Sequence, residues 1–155
     1  GPVPGDEEYS ERLFADGRKL LGNRLVHVGY MTELRGFYNG LDLLVNTSQE
    51  EACSISIMEA LACGCPVLGY PSKSVDCQVL PDGGEMVDQD NMDQLAGSLK
   101  RWLTEPNKLH NARQGARKQA KSMFDIRTLS YQLWDEYQEV LNSWNRKSLK
   151  AASAL

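Results

Sequence analysis

Two carboxylates with seven residues between them stand in Glu51-Ala-Cys-Ser-Ile-Ser-Ile-Met-Glu59, and their surroundings differ sharply. Glu51 closes a polar turn, Ser48-Gln49-Glu50, that follows the strand-like run Leu43-Leu44-Val45-Asn46-Thr47. Glu59 falls inside a predicted helix, Ser54 to about Cys63, that is otherwise apolar nearly all round: Ile55, Ile57, Met58, Ala60, Leu61 and Ala62. A helix apolar on every side is normally buried. A carboxylate within it is costly unless it is paired or hydrogen-bonded, so Glu59 is expected to meet a polar group. Helical side chains lean toward the N-terminus, which brings Glu59 back about one turn toward Ile55. Between the glutamates lie the first free N–H groups of the helix and the positive end of its dipole, a place for an anion. An anion flanked by two carboxylates suits a nucleotide diphospho-sugar. Its diphosphate takes the amides, and its ribose and sugar hydroxyls donate to the glutamates.

The text that continues from Glu59, Ala60-Leu61-Ala62-Cys63-Gly64-Cys65-Pro66-Val67, resembles the helix end and strand that follow the E-x7-E signature of retaining GT-B glycosyltransferases, closest to glycosyltransferase family 4 (group 1). Other segments agree in order. Asn23-Arg24-Leu25-Val26-His27-Val28-Gly29-Tyr30 resembles the strand before the base-binding loop, and Leu80-Pro81-Asp82-Gly83-Gly84-Glu85-Met86-Val87 resembles the later glycine turn and short strand. The likeness runs over residues 8 to 145. It implies a Rossmann-like α/β domain, the C-terminal donor-binding half of a GT-B enzyme, with a parallel sheet flanked by helices. It also implies roles. Glu59 binds the ribose hydroxyls, and Glu51, the residue placed for catalysis, contacts the donor sugar and orients it as the glycosidic bond breaks. The backbone amides of Cys53, Ser54 and Ile55 hold the diphosphate, and Gly29, Tyr30 and Met31 face the base. No metal or other cofactor is implied.

The resemblance shows gaps as well. The first two strands of the family's donor domain have no counterpart, nor does the Gly-Arg-x5-Lys-Gly segment that clamps the diphosphate; Arg12 and Arg18 sit on an amphipathic helix. Residues 1–155 therefore read as a single, partial donor-binding domain that transfers no sugar alone, its acceptor-binding N-terminal domain being a missing partner. In the family's sheet order the missing strands fall between 25–30 and 42–47, so those segments should not pair. Where many members have Gly-Phe-Gly after the first glutamate, this chain has Ala52-Cys53-Ser54, which approaches a phosphate less freely unless the Ser54 hydroxyl caps the helix or bonds an oxygen. Gln78 stands where the family often has Glu. The other readings are a non-catalytic nucleotide-binding or scaffold module, and an epimerase or phosphorylase of the same fold; no lysine sits in a recognisable pyridoxal site.

Composition sets the bounds. The 155 residues are one domain's length, with 41% hydrophobic and 25% charged residues, as in globular chains. A net charge of −4 argues against nucleic acid. No run approaches the ~18 apolar residues of a membrane span. Cys53, Cys63, Cys65 and Cys77 read as reduced thiols of a cytoplasmic protein, Cys63-x-Cys65 having the wrong spacing for a zinc knuckle. Asp88-Gln89-Asp90 matches a metal-binding D-x-D but precedes a helix, where Asp is common as a cap.

The elements that position the signature follow from periodicity. Helices are predicted at 6–21 with Gly22 as stop, at 32–40 capped by Thr32, at 91–103 ending before Pro106, and at 107–122. Strands are predicted at 25–30, 42–47 and 66–70. A last helix, about 126–145, carries the apolar stripe Ile126, Leu129, Leu133, Tyr137, Val140, Leu141 and Trp144. That stripe is expected to be partly exposed, favouring a homo-oligomer or a partner chain. Arg146, Lys147 and Lys150 beside it are few for contact with an anionic membrane, and a frayed soluble tail is the expected account.

Overall fold

The computed structural model describes residues 7–71 and 78–152, and the chain divides into two compact units that meet in sequence at Leu34 and Arg35. Helix α1 (Glu7–Leu21) dominates the first unit. Glu7 and Glu8 in its first turn and Arg18 and Lys19 in its last complement the helix dipole. Gly22 then turns left-handed at φ +57° and opens a short 3-10 turn through Arg24. The chain folds back so that Leu25 lies against Gly17 and the rings of Phe14 and His27 stand 4.6 Å apart.

The strand expected at 25–30 does not form; residues 25–29 carry no strand pairing, and Val26 and Val28 are exposed. A strand exists only through a neighbour's hydrogen bonds, and the valine pattern alone supplies none.

The second unit is built on a three-stranded parallel sheet in the order β1-β2-β3: β1 (Leu44–Asn46), β2 (Val67–Gly69) and β3 (Gly84–Met86). Leu44 faces Val67, and Val67 in turn faces Gly84. Bonds beyond the strand ends, such as Tyr70 N–H to Asn46 O at 3.1 Å, extend the ladders. Every residue of β2 is buried. Because side chains alternate along a strand, the fully buried Val67 and Leu68 point to opposite faces, so both faces are covered.

The helices that follow α1 are α2 (Leu34–Gly40), α3 (Ile55–Ala62), α4 (Met92–Thr104), α5 (Pro106–Met123) and α6 (Ile126–Ala152). Helix α3 packs on β1, β2 and α5, and α4 packs on β2 and α5. Leu68, Tyr70, Val87, Leu95, Trp102 and Ala112 form one core cluster, with Leu43, Leu99 and Leu109 against it. Pro106 not only ends α4 but opens α5, where its missing N–H costs no hydrogen bond. Asn91, rather than Asp88 or Asp90, caps α4: its side chain accepts the Gln94 N–H at 3.0 Å, while Gln94 Oε1 accepts the Asp88 N–H at 2.8 Å. Helix α6 runs beyond the expected end near 145, and no side chain from Ile126 to Trp144 is buried.

Candidate functional site

The two ends of α3 are built differently. Its C-terminus closes on Gly64, left-handed at φ +72°, with Gly64 N–H bonded to Leu61 O at 2.9 Å and Cys65 N–H to Ala60 O at 2.8 Å. This double bond pattern around a left-handed glycine is what the Ala-Cys-Gly-Cys-Pro text allows, since a side chain at that φ is strained. Pro66 follows and sends the chain into β2. Further carbonyls at this end are met from α5: Arg117 Nη1 donates to Ala62 O, and Arg113 donates to Leu41 O at 2.9 Å and Asn39 O at 3.4 Å. These arginines line a surface hollow of about 1140 Å³, together with Arg35, His110, Lys118 and Lys121. Two of its cations are thus committed to backbone carbonyls, and the hollow lies at the opposite end of α3 from the signature loop.

At the N-terminus, Ser54 occupies the cap position but its side chain makes no cap bond. Its hydroxyl lies 3.0 Å from Ser56 Oγ, and its N–H donates to Gln78 Oε1 at 3.1 Å. Of the three amides named from the sequence, that of Ser54 is therefore held by a side chain. The first bond within the helix runs from Met58 N–H to Ser54 O at 3.2 Å. Ile55, Ser56 and Ile57 thus carry N–H groups with no carbonyl a turn earlier in the helix to accept them. Cys53 and Ile55 are exposed, and Ser54 is buried.

Glu59 is half-buried on α3, and the polar group it meets is the Tyr38 hydroxyl of α2. Tyr38 is 6% exposed; burial, the Glu59 charge and the hydrogen bond to it all push the phenol up, so the phenol stays protonated and donates. Glu51 is half-buried in the loop before α3. The turn ahead of it is anchored by Gln49 Nε2, which donates to Asp90 Oδ1 at 2.9 Å. Asp90 belongs to the D-x-D text and stands left-handed at φ +62°. Among the described residues no group of three or more His, Cys, Asp or Glu side chains is placed to hold a metal. Gly29, Tyr30 and Met31 lie in the first unit, where Gly29 is left-handed at φ +64° and Tyr30 is 94% exposed. Cys53, Cys63 and Cys65 are free thiols, and burial pushes Cys65 up to about 11. Cys77 lies outside the described residues.

Sequence reasoning passed over a third glutamate. Glu85 of β3 accepts from Ser98 Oγ at 2.7 Å, Arg101 Nη2 at 2.8 Å, Trp102 Nε1 at 2.9 Å and Lys108 Nζ at 2.8 Å. Burial pushes this carboxyl up, but the bonds from Lys108, Ser98 and Trp102 outweigh it and hold the group at about 2. A signal existed: Ser98, Arg101 and Trp102 recur at helical spacing, placing three donors on one face of α4.

Known proteins share this architecture. The family described as glycosyl transferases group 1 matches residues 3–119. Among solved structures, sucrose-phosphate synthase from Thermosynechococcus elongatus superposes with a TM-score of 0.78 at 23% identity, over 92% of this chain and 37% of its own. HepE from Anabaena, solved in complex with UDP, gives a TM-score of 0.80 at 22% identity, over 88% of this chain and 38% of its own. The C-terminal domain of the group 1 glycosyl transferase LpcC from Francisella tularensis gives 0.66 at 18% identity, over 80% of this chain and 66% of its own. The chain thus spans well under half the length of the first two. The fold is that of part of a GT-B glycosyltransferase, a parallel sheet with helices on it. With the family matching three-quarters of its residues, the chain belongs to the group 1 glycosyl transferases.

Proposed function

We propose that this chain is the donor-binding half of a retaining family 4 glycosyltransferase, corresponding to part of the C-terminal domain. It binds a nucleotide diphospho-sugar whose sugar passes to an acceptor held by a separate N-terminal domain, without a metal. The observation that carries this reading is Glu59. It is an acidic side chain on an otherwise apolar helix, half-buried, with one donor from Tyr38 and further carboxylate lone pairs available for ribose hydroxyls. Glu51 precedes the same helix and is assigned to the donor sugar, and the helix-start amides to the diphosphate. Gly29, Tyr30 and Met31 are assigned to the base. The solved complexes of HepE with UDP and with UDP-glucose support a nucleotide-sugar as ligand and make UDP the first nucleotide to try. The acceptor side being elsewhere, the 155 residues bind donor but transfer no sugar alone.

Thermal unfolding with UDP, GDP and ADP, beside a Glu59→Ala variant, tests this. Ligand at a hundredfold excess over its dissociation constant adds about 2.7 kcal/mol of stability. A shift with one nucleotide that the variant loses identifies the base and places the site at Glu59. No shift with any nucleotide overturns donor binding in favour of a scaffold module.

A further inference from the structure

The hollow at the C-terminal end of α3 has no part in the donor-site reading, and its charge runs against that of the chain. The sequence carries 21 Asp and Glu against 17 Lys and Arg. Yet Arg35, Arg113, Arg117, Lys118 and Lys121 line this hollow and, among the described residues, no Asp or Glu does. Helix α5 produces the segregation. Ala112, Ala116 and Ala120 recur every four residues and are buried. Arg113, Arg117 and Lys121 recur at the same spacing one residue on, so they share a second face of the helix. Arg35 adds a cation from α2. The walls are fixed to one another. Arg113 ties α5 to the end of α2 through Leu41 O and Asn39 O, and Arg117 ties it to the end of α3 through Ala62 O. The negative end of the α3 dipole, which would repel an anion, is thereby covered. Asp42 pairs with Arg113 at 3.5 Å from outside the lining, its side chain 81% exposed. Among the described residues neither Lys118 nor Lys121 meets a carboxylate.

We propose that this hollow is a second ligand site, for a small anion carrying two or more phosphate groups; it stands independently of the donor-site reading. Like charges gathered along one concavity repel one another and focus a positive potential, which a bound polyanion relieves. The space, about 1140 Å³, is on the scale of a small-molecule site, about 300 to 1,000 Å³. From Arg113 to Lys121 the helix rises about 12 Å, at roughly 1.5 Å per residue. A single phosphate meets one end of that span, whereas an anion with several phosphates engages both. It must do so, because each exposed cation is screened by solvent and salt and contributes little alone. A concave wall suits such a molecule better than it suits a membrane surface.

The test is calorimetry on the 155-residue chain with inorganic tripolyphosphate, orthophosphate and oligoglutamate, at an ionic strength of about 0.15 M. The wild type should bind tripolyphosphate on the order of tenfold tighter than orthophosphate. Lys118→Gln together with Lys121→Gln should weaken tripolyphosphate by about tenfold. Both side chains are exposed on α5, so the fold should survive the change. Arg35→Gln, on the other wall, should weaken it about threefold and decides the matter if the double variant does not fold. Excess UDP should leave the tripolyphosphate titration unchanged. No binding of tripolyphosphate, or binding that these variants leave intact, overturns the inference. Displacement by UDP overturns it too, since the anion then sits in the donor site. Oligoglutamate held more tightly than tripolyphosphate, and lost in the same variants, overturns it in favour of an acidic protein partner.

Discussion

Glu85 and Glu59 are the same residue in neighbouring parts of one sheet-and-helix unit, and the fold treats them in opposite ways. Glu85 is surrounded by four donors from two helices, so its charge is consumed in tying β3 to α4 and α5. Lys108 adds a second tie, lying 4.5 Å from the centre of the Trp102 ring. Glu59 meets Tyr38 and is left half-open. A carboxylate saturated by its own protein stabilises; one left partly unsatisfied on a buried helix suits a ligand. The number of donors, not burial or sequence neighbourhood, separates the two.

The largest effect should come from breaking the saturated side. Glu85→Ala leaves the Trp102 indole N–H and the Ser98 hydroxyl without their acceptor and two cations without their counter-charge. Removing the acceptor of buried donors should cost about 2 to 3 kcal/mol. The Arg101 ion pair adds little, because its side chain is 52% exposed and solvent screens it. Urea unfolding at an unchanged m-value measures this. A loss near zero would make the network ornamental and dissolve the contrast.

A pH series sharpens the same point. The Glu85 carboxyl is held at about 2 in the fold, below its ordinary value, so the folded state favours the charged form. Its contribution is complete above the unfolded value of about 4.3 and is lost as pH falls from there toward 2. Unfolding free energies of wild type and Glu85→Gln should therefore converge across that window and stay parallel from pH 5 to 7. A constant difference down to pH 2.5 would show that the bonds do not depend on the charge.

How much of this was legible in the sequence depends on how far apart the partners lie. The helix that carries Glu59 could be read because everything that defines it is local: apolar residues round Glu59, then Gly64 at its end, where φ is positive. The polar partner of Glu59 was expected from the cost of burying a carboxylate, but Tyr38 could not be named, since α2 meets α3 only through the fold. Gln78 stood out as a departure from the family text, yet its partners are 24 residues before it and 41 after it. The failed strand at 25–30 is the reverse case. Its local pattern was good, but a strand is a property of a pair. Helix α6 shows a third kind of limit, since periodicity revealed an apolar stripe but not what covers it. Ile126, Leu133, Tyr137, Val140 and Leu141 are all more than half exposed in this chain.

The smallest effect tests the open side of the comparison. Tyr38→Phe keeps the ring and removes only the hydroxyl that donates to Glu59. Stability should fall by about 1 kcal/mol, the ordinary net worth of one such bond and well below the loss expected at Glu85. The binding readout is more telling. If Tyr38 orients the carboxylate for ribose, the variant should lose part of the preference for UDP over its 2′,3′-dideoxy analogue, whose sugar has no hydroxyl to offer Glu59. Affinity for the dideoxy analogue itself should not change. A stability loss with the preference intact would make Tyr38 a packing residue whose hydroxyl merely satisfies a buried charge. Glu59 would then be closer in kind to Glu85 than its half-open setting suggests.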